Sequence, residues 1–308
     1  MRETQSQTVQ VQALPDDLAF LDVVTEWDTT TPYHQWRVGT VVPETFLPGP
    51  VPRVITVANQ KGGTGKTSTA LELALAFVAR GLSVRLIDAD PQAAGLTHWL
   101  PCARPDGGPT LVDLYFDLKR TIQDVTYPTP YAGLYLVPSL PDLDDVQARN
   151  PVDAQNTLRH HLRKADDGID VTIIDSGPSL GTLTVSALVA AHEVVIPVQA
   201  SSGLDVVGMA ALNDTIEVVK DRPNPELRVA AVILTDFEKS TLARDIGAAV
   251  AAAYPDALLV PARTSVKLGA AQLQQMPLRF FDPKATTVMD YDRAAGLLLA
   301  GRGQGAAA

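Results

Sequence analysis

Cysteine is almost missing from this chain. Of 308 residues only Cys102 is one, which leaves no partner for an internal disulfide and no cysteine-only metal site within one chain. Long apolar stretches are missing as well, and no run approaches the roughly 18 uninterrupted residues of a membrane span. The opening MRETQSQTVQ has neither the basic start nor the apolar stretch of a secretion signal. Basic residues are outnumbered 25 to 35, for a net charge of −10. That excludes a protein coated in positive surface, though not one with a local basic patch. Histidines at ligand spacing are also absent: His34, His98, His160, His161 and His192 form no HxxxH pair and read as surface or core side chains. A reducing cytoplasm is the expected location.

What is present describes a globular protein, with 46% hydrophobic and 19% charged residues. The length suits one large α/β domain or two smaller ones. Residues 1–52 read differently from the rest. They are polar and end in the proline-rich LPGPVP, and residues 1–50 hold seven acids and two bases, a net of −5. Trp27, Tyr33 and Trp36 lie in this stretch, so it reads as an extension packed on its own domain or on a partner. From Arg53 to about residue 300 short β-branched runs alternate with helical patterns, which indicates a doubly wound α/β domain with a mainly parallel sheet. The strand candidates are VITVA (54–58), SVRLID (83–88), LYLVPS (134–139), DVTIIDS (170–176), EVVIPV (193–198) and RVAAVIL (228–234). Most are continuous apolar runs, as in strands covered on both faces. Leu71, Ala74, Leu75 and Val78 form one helical stripe, and Leu204, Val207, Gly208 and Ala211 another. Both are read as core packing. Asp142, Asp144 and Asp145 mark a helix start, the cluster Arg159 to Lys164 reads as a solvated helix face, and residues 301–308 form a frayed tail.

The strongest signal is VITVANQKGGTGKTSTALELALAF, residues 54–77. A buried strand runs into a glycine-rich loop, and a helix begins at Lys66-Thr67. Glycines let backbone N–H groups turn inward around phosphate oxygens without β-carbon clashes, and the helix N-terminus adds partial positive charge. In such a loop Lys66 reaches the β- and γ-phosphates and the Thr67 hydroxyl ligates Mg²⁺. The nucleotide-binding set is Lys61, Gly62, Gly63, Thr64, Gly65, Lys66, Thr67 and Ser68. The general pattern has glycine five positions before Gly65, whereas this chain has Gln60 there and Lys61 ahead of the glycine pair.

Two further strands end in carboxylates. Leu86-Ile87-Asp88-Ala89-Asp90-Pro91-Gln92 places Asp88 and Asp90 at period-two spacing, on one side of the carboxyl end of a parallel strand, where ligands bind in such sheets. Capping of the next helix is the competing role for one of the pair. Val171-Thr172-Ile173-Ile174-Asp175 is an apolar strand ending in a lone carboxylate, the Walker-B arrangement. Asp175 there would hold Mg²⁺ through a water molecule.

The loop Lys61-Gly62-Gly63-Thr64-Gly65-Lys66-Thr67 resembles KGGxGK[ST] of the ParA/MinD family, the deviant Walker A P-loop ATPases, and Asp88 to Gln92 resembles that family's DxDPQ. Ser176 to Thr184 and Pro197-Val198-Gln199 are similar to the segments of its ParA branch, apart from Gly177 and Ser186, where the branch usually has proline and asparagine. Looser likenesses lie at Pro261 to Leu268 and Phe281 to Lys284. The resemblance implies that Lys61 reaches a partner's nucleotide in trans, much as an arginine finger does. It further implies that Asp90 orients the attacking water, that Asp88 supports Mg²⁺ at second hand, and that Pro261 borders the adenine. ATP/ADP and Mg²⁺ are the implied cofactors.

By the same resemblance the chain is an ATPase of plasmid or chromosome partition. It would form a nucleotide-sandwich homodimer, bind DNA without sequence preference and answer to a ParB-like adaptor, near the nucleoid. Lys220, Arg222, Lys239, Arg244, Arg263 and Lys267 are the candidate DNA contacts. Two alternatives remain. A MinD-like positioner would end in a basic amphipathic helix, which Gly301 to Gly305 is not. An ATP-dependent small-molecule synthetase on the same fold would have no need of Lys61 in trans.

Overall fold

Six β-branched runs anticipated from the sequence form the body of one sheet. The computed structural model describes residues 23–24, 40–41, 53–92, 95–202 and 204–300. The strands are β1 (Val23–Val24), β2 (Thr40–Val41), β3 (Arg53–Val57), β4 (Val84–Ala89), β5 (Tyr127–Pro128), β6 (Leu134–Val137), β7 (Val171–Ser176), β8 (Glu193–Gln199), β9 (Arg228–Phe237) and β10 (Leu258–Arg263). Their order in space is β1-β2-β10-β9-β8-β3-β7-β4-β6-β5. All neighbours run parallel except β2 with β10 and β5 with β6, at the two margins. The remainder of residues 1–52, including Trp27, Tyr33 and Trp36, and the tail 301–308 lie outside the described residues.

The connecting helices are α1 (Lys66–Val78), α2 (Leu96–Trp99), α3 (Asp113–Phe116), α4 (Asp144–Arg149), α5 (Thr157–Arg163), α6 (Thr182–Ala190), α7 (Leu204–Asp221), α8 (Thr241–Ala253), α9 (Leu268–Leu273), α10 (Leu278–Phe281) and α11 (Thr286–Ala300). Side chains alternate across a strand, so each central strand feeds two cores. Val54, Ile87, Ile174 and Ile196 pack with Leu188 of α6, Leu212 of α7 and Ile246 of α8. Ile55, Leu86, Ile173 and Val195 pack on the opposite face with Leu71 and Leu75 of α1 and Leu298 of α11. The sheet is therefore covered on both sides, which is why its strands lack polar alternation.

Three details depart from the sequence reading. The helix α1 is buried on nearly its whole circumference, from Thr69 through Phe77, because α11 covers the side turned away from the sheet. On α7 the buried side chains are Met209, Leu212, Ile216 and Val219, with Ala211 only half-buried. Of the expected stripe only Ala211 has a described side chain, since those of Leu204, Val207 and Gly208 lie outside the described set. The strand β10 was not anticipated, since Pro261 interrupts it. A proline is tolerated there because β10 has a full neighbour only on the β9 side, meeting β2 at the single pair Leu259 and Val41. Asp144 and Asp145 do open α4, as expected. Among the described residues no helix is long and apolar enough to cross a membrane.

Candidate functional site

The phosphate loop is built by close approach. Thr235, at the carboxyl end of β9, donates its hydroxyl to the Thr64 carbonyl at 2.9 Å. A β-carbon on Gly65 would stand 3.2 Å from the Thr235 methyl group, and Gly65 has φ +85°, so glycine is required on both counts. Lys66 folds back over the loop, its Nζ 2.9 Å from the Lys61 carbonyl. Asn59 anchors the loop's start, donating to the Pro197 carbonyl at 2.7 Å and accepting the Lys61 N–H. Gly65 caps α1 without a side-chain hydrogen bond, and the first turn holds no acid. The amides at that helix start are left for an anion from outside.

Opposite Lys66 stand the carboxylates, placed by strand register. Asp88 on β4 is the direct neighbour of Asp175 on β7, and both are buried, at 1% and 0% exposure. Burial and then the Asp88 charge push Asp175 well above the usual carboxylate range. The Thr67 hydroxyl and Lys66 oppose that rise, and no other donor meets either Asp175 oxygen. Asp88 is raised by burial to about 6. It accepts both the N–H (2.7 Å) and the hydroxyl of Thr97 in α2, so the capping role weighed for it is realised. Asp90 is half-buried, accepts the Gln92 N–H at 3.0 Å and is raised by burial. Lys66 is only 7% exposed, and its burial lowers its pKa against the pull of Asp175 and Asp90.

A cleft of about 370 Å³ joins these parts. Gly62, Gly63, Gly65, Lys66, Thr67, Ser68 and Asp90 line one end, and Glu72, Ala262, Arg263, Thr264, Ser265, Leu268, Thr287 and Tyr291 line the other. Pro261 stays inside β10, paired with Leu234, and the four residues after it face the cleft instead. Lys61 does not line the cleft either; its Nζ donates to the Ser202 hydroxyl at 3.0 Å. Sequence reasoning missed Thr235, Glu72 and Tyr291. Thr235 had a signal, its place at the carboxyl end of a parallel strand. Glu72 had one too, as an acid set between Leu71 and Leu73.

These residues fit a nucleoside polyphosphate with a divalent cation. The uncapped start of α1 and Lys66 suit the anion. A wholly buried carboxylate approached by a single hydroxyl is costly unless a cation meets it, and Thr67 and Asp175 offer the oxygen donors that Mg²⁺ prefers. Strand, glycine loop, Lys66-Thr67 helix and the lone carboxylate on the neighbouring strand together define a P-loop nucleotide-binding protein.

Comparison with known proteins agrees. A family profile described as AAA domain matches residues 52–229. The chromosome partitioning protein ParA of Caulobacter vibrioides is 33% identical over 253 residues, 79% of this chain and 92% of that one. The ParA of Myxococcus xanthus is 37% identical over 191 residues, 61% and 66%. A solved structure of cobyrinic acid a,c-diamide synthase from Mycobacterium smegmatis, with bound ADP and magnesium, superposes with a TM-score of 0.67. It is 31% identical, across 80% of this chain and 94% of the other. The chain belongs to the ParA/MinD family of P-loop ATPases.

Proposed function

We propose that the chain is a Mg²⁺-dependent ATPase that works as a nucleotide-sandwich homodimer in DNA partition. One observation carries the nucleotide part: the uncapped N-terminus of α1 and Lys66 stand beside the wholly buried carboxylate of Asp175, which only the Thr67 hydroxyl approaches. Lys66 and the first-turn amides hold the triphosphate, with Gly62, Gly63, Thr64 and Gly65 shaping the loop and Ser68 at its helix side. Thr67 and Asp175 hold Mg²⁺, which when bound neutralises phosphate charge. Asp88, fixed by Thr97, keeps the second strand end polar beside it, and Asp90 orients the attacking water. Lys61 leaves Ser202 to reach the nucleotide of a second copy, where it steadies charge developing on the transferred phosphoryl group. The ATPase domain is residues 53–300, with 1–52 an extension and 301–308 a tail.

The names of the Caulobacter and Myxococcus relatives support partition as the process served, with a ParB-like adaptor and non-specific DNA as partners. The small-molecule synthetase stays as a second reading because the Mycobacterium smegmatis structure carries such a name at 31% identity. Lys66→Ala is expected to abolish nucleotide binding, whereas Asp90→Ala keeps ATP-driven dimers but stops turnover. Equilibrium binding, light scattering and phosphate release measure the three properties. Hydrolysis at the parent rate in Asp90→Ala would remove that residue from the water-positioning role. Duplex DNA binding that is absent, or equal with ATP and ADP, would favour the synthetase.

A further inference from the structure

Beyond their last ladder pair, Ala89 with Ser176, the strands β4 and β7 bring Asp90 and Gly177 side by side. Gly177 is buried, and its φ lies outside the left-handed region that favours glycine, so the backbone itself would accept alanine. What excludes a side chain there is Asp90. A β-carbon on Gly177 would stand 3.1 Å from Asp90 Oδ1, 3.3 Å from the carboxyl carbon and 3.7 Å from the α-carbon, and these are its three nearest atoms. Heavy atoms rest best at about 3.5–4.0 Å, so the carboxylate would have to give by a few tenths of an ångström.

The main chains on both sides are tied, which leaves the Asp90 side chain as the part that moves. The Asp90 carbonyl accepts the Ser139 hydroxyl at 2.9 Å, and the Asp90 N–H donates to Asp88 Oδ1 at 3.2 Å. Next to Gly177, the Ser176 hydroxyl donates to the Val57 carbonyl of β3 at 2.9 Å. The oxygen that a methyl group would press on is Oδ1, the one that accepts the Gln92 N–H at 3.0 Å. Adding the methyl therefore rotates the carboxylate off Gln92. Asp90, Gln92 and Pro178 all line the cleft beside Lys66, so the rotation takes place in the cleft wall.

Resting on the reading of Asp90 as the group that orients the attacking water, we propose that Gly177 is a positioning residue for hydrolysis, its bare α-carbon leaving the space in which the Asp90 carboxylate is seated against Gln92. Gly177 acts through Asp90 and contributes no group of its own to the reaction.

The test is Gly177→Ala in the full chain, with Mg²⁺-ATP affinity read by equilibrium binding and kcat by phosphate release. Affinity is expected to stay at the parent value, because Lys66 and the first-turn amides of α1 lie apart from the contact. A reacting group misplaced by about 1 Å costs on the order of 10²-fold, and the shift here is smaller, so kcat is expected to fall about tenfold. A glycine that only served packing would lower affinity and kcat together. Thermal melting tests the contact without any turnover. Gly177→Ala should melt below the parent, whereas in Asp90→Ala, which lacks the carboxylate, the same substitution should lower the midpoint no further. Should Gly177→Ala alone fold poorly, the double variant is expected to fold where the single one does not. Parent kcat in Gly177→Ala, affinity falling in step with kcat, or an equal melting loss with and without the Asp90 carboxylate would each overturn the inference. If Asp90→Ala itself turns over at the parent rate, the reading of Asp90 fails first and takes this inference with it.

Discussion

Burial holds the Glu72 carboxyl at about 7 against an ordinary 4.5, with Arg279 and the Leu278 amide pulling the other way. The folded state therefore keeps a proton that the unfolded chain releases near pH 4.5. Stability from this group is complete below that pH and is lost as pH climbs through about 7. The shift corresponds to a loss on the order of 3 kcal/mol. Glu72→Gln removes the titration while an amide oxygen keeps the Leu278 bond. Melting of the nucleotide-free protein should then show the variant several degrees more stable than the parent at pH 8, with the difference vanishing below about pH 4.5. A difference that does not change with pH would contradict this sign. At this scale the sequence displayed Lys66, Thr67, Asp88, Asp90 and Asp175, because loop spacing and strand ends mark them. It did not display Tyr291 and Thr287, which reach the cleft from α11 more than 200 positions after the loop. Nor could it show that the cleft is lined by the four residues after Pro261 rather than by Pro261 itself.

Among the elements, the central strand β3 is fixed by charge as well as by packing. Arg53 at its start is wholly buried and bonds Glu193 at the start of β8 (2.8 Å) and the Leu298 carbonyl of α11 (2.8 Å). Glu193 also pairs with Arg228 at the start of β9. The cluster thus joins three neighbouring strands and one helix at the end of the sheet remote from the cleft. Removing Glu193 leaves the wholly buried Arg53 without its counter-charge, whereas Arg228 keeps some access to water. Glu193→Ala should cost about 3–5 kcal/mol, whereas Arg53→Met with Glu193→Leu should cost far less, read from denaturant midpoints. Equal losses in the two variants would mean that shape, not charge, holds this end. The strands around that cluster were legible, since β3, β4, β6, β7, β8 and β9 are apolar runs between turn signals. The strand β10 was not, because Pro261 breaks the pattern and only the pairing with β9 makes it a strand.

The whole molecule carries a net charge of −10, and DNA is the partner that this balance resists most. Carboxylates already stand beside the candidate contacts: Lys220 has Glu217, Arg222 has Asp221, Arg244 has Asp245, Arg263 has Asp290 and Lys267 has Asp282. A phosphate arriving at any of them competes with a neighbour, so affinity depends on how many can be redirected at once. In the proposed ATP-bound dimer that number would double, so DNA binding would follow ATP. Deleting a competitor should accordingly tighten binding. Glu217→Gln and Asp282→Asn relieve Lys220 and Lys267, and each exposed pair is worth about 0.7 kcal/mol. The ATP-bound protein should gain about threefold in duplex affinity per substitution, and Lys220→Ala or Lys267→Ala should lose at least as much. Titrations across a range of salt concentrations separate this from a folding effect, because each relieved lysine steepens the salt dependence by about one counterion. If neither carboxylate variant changes affinity or slope, the proposed DNA face lies away from the ends of α7 and α9.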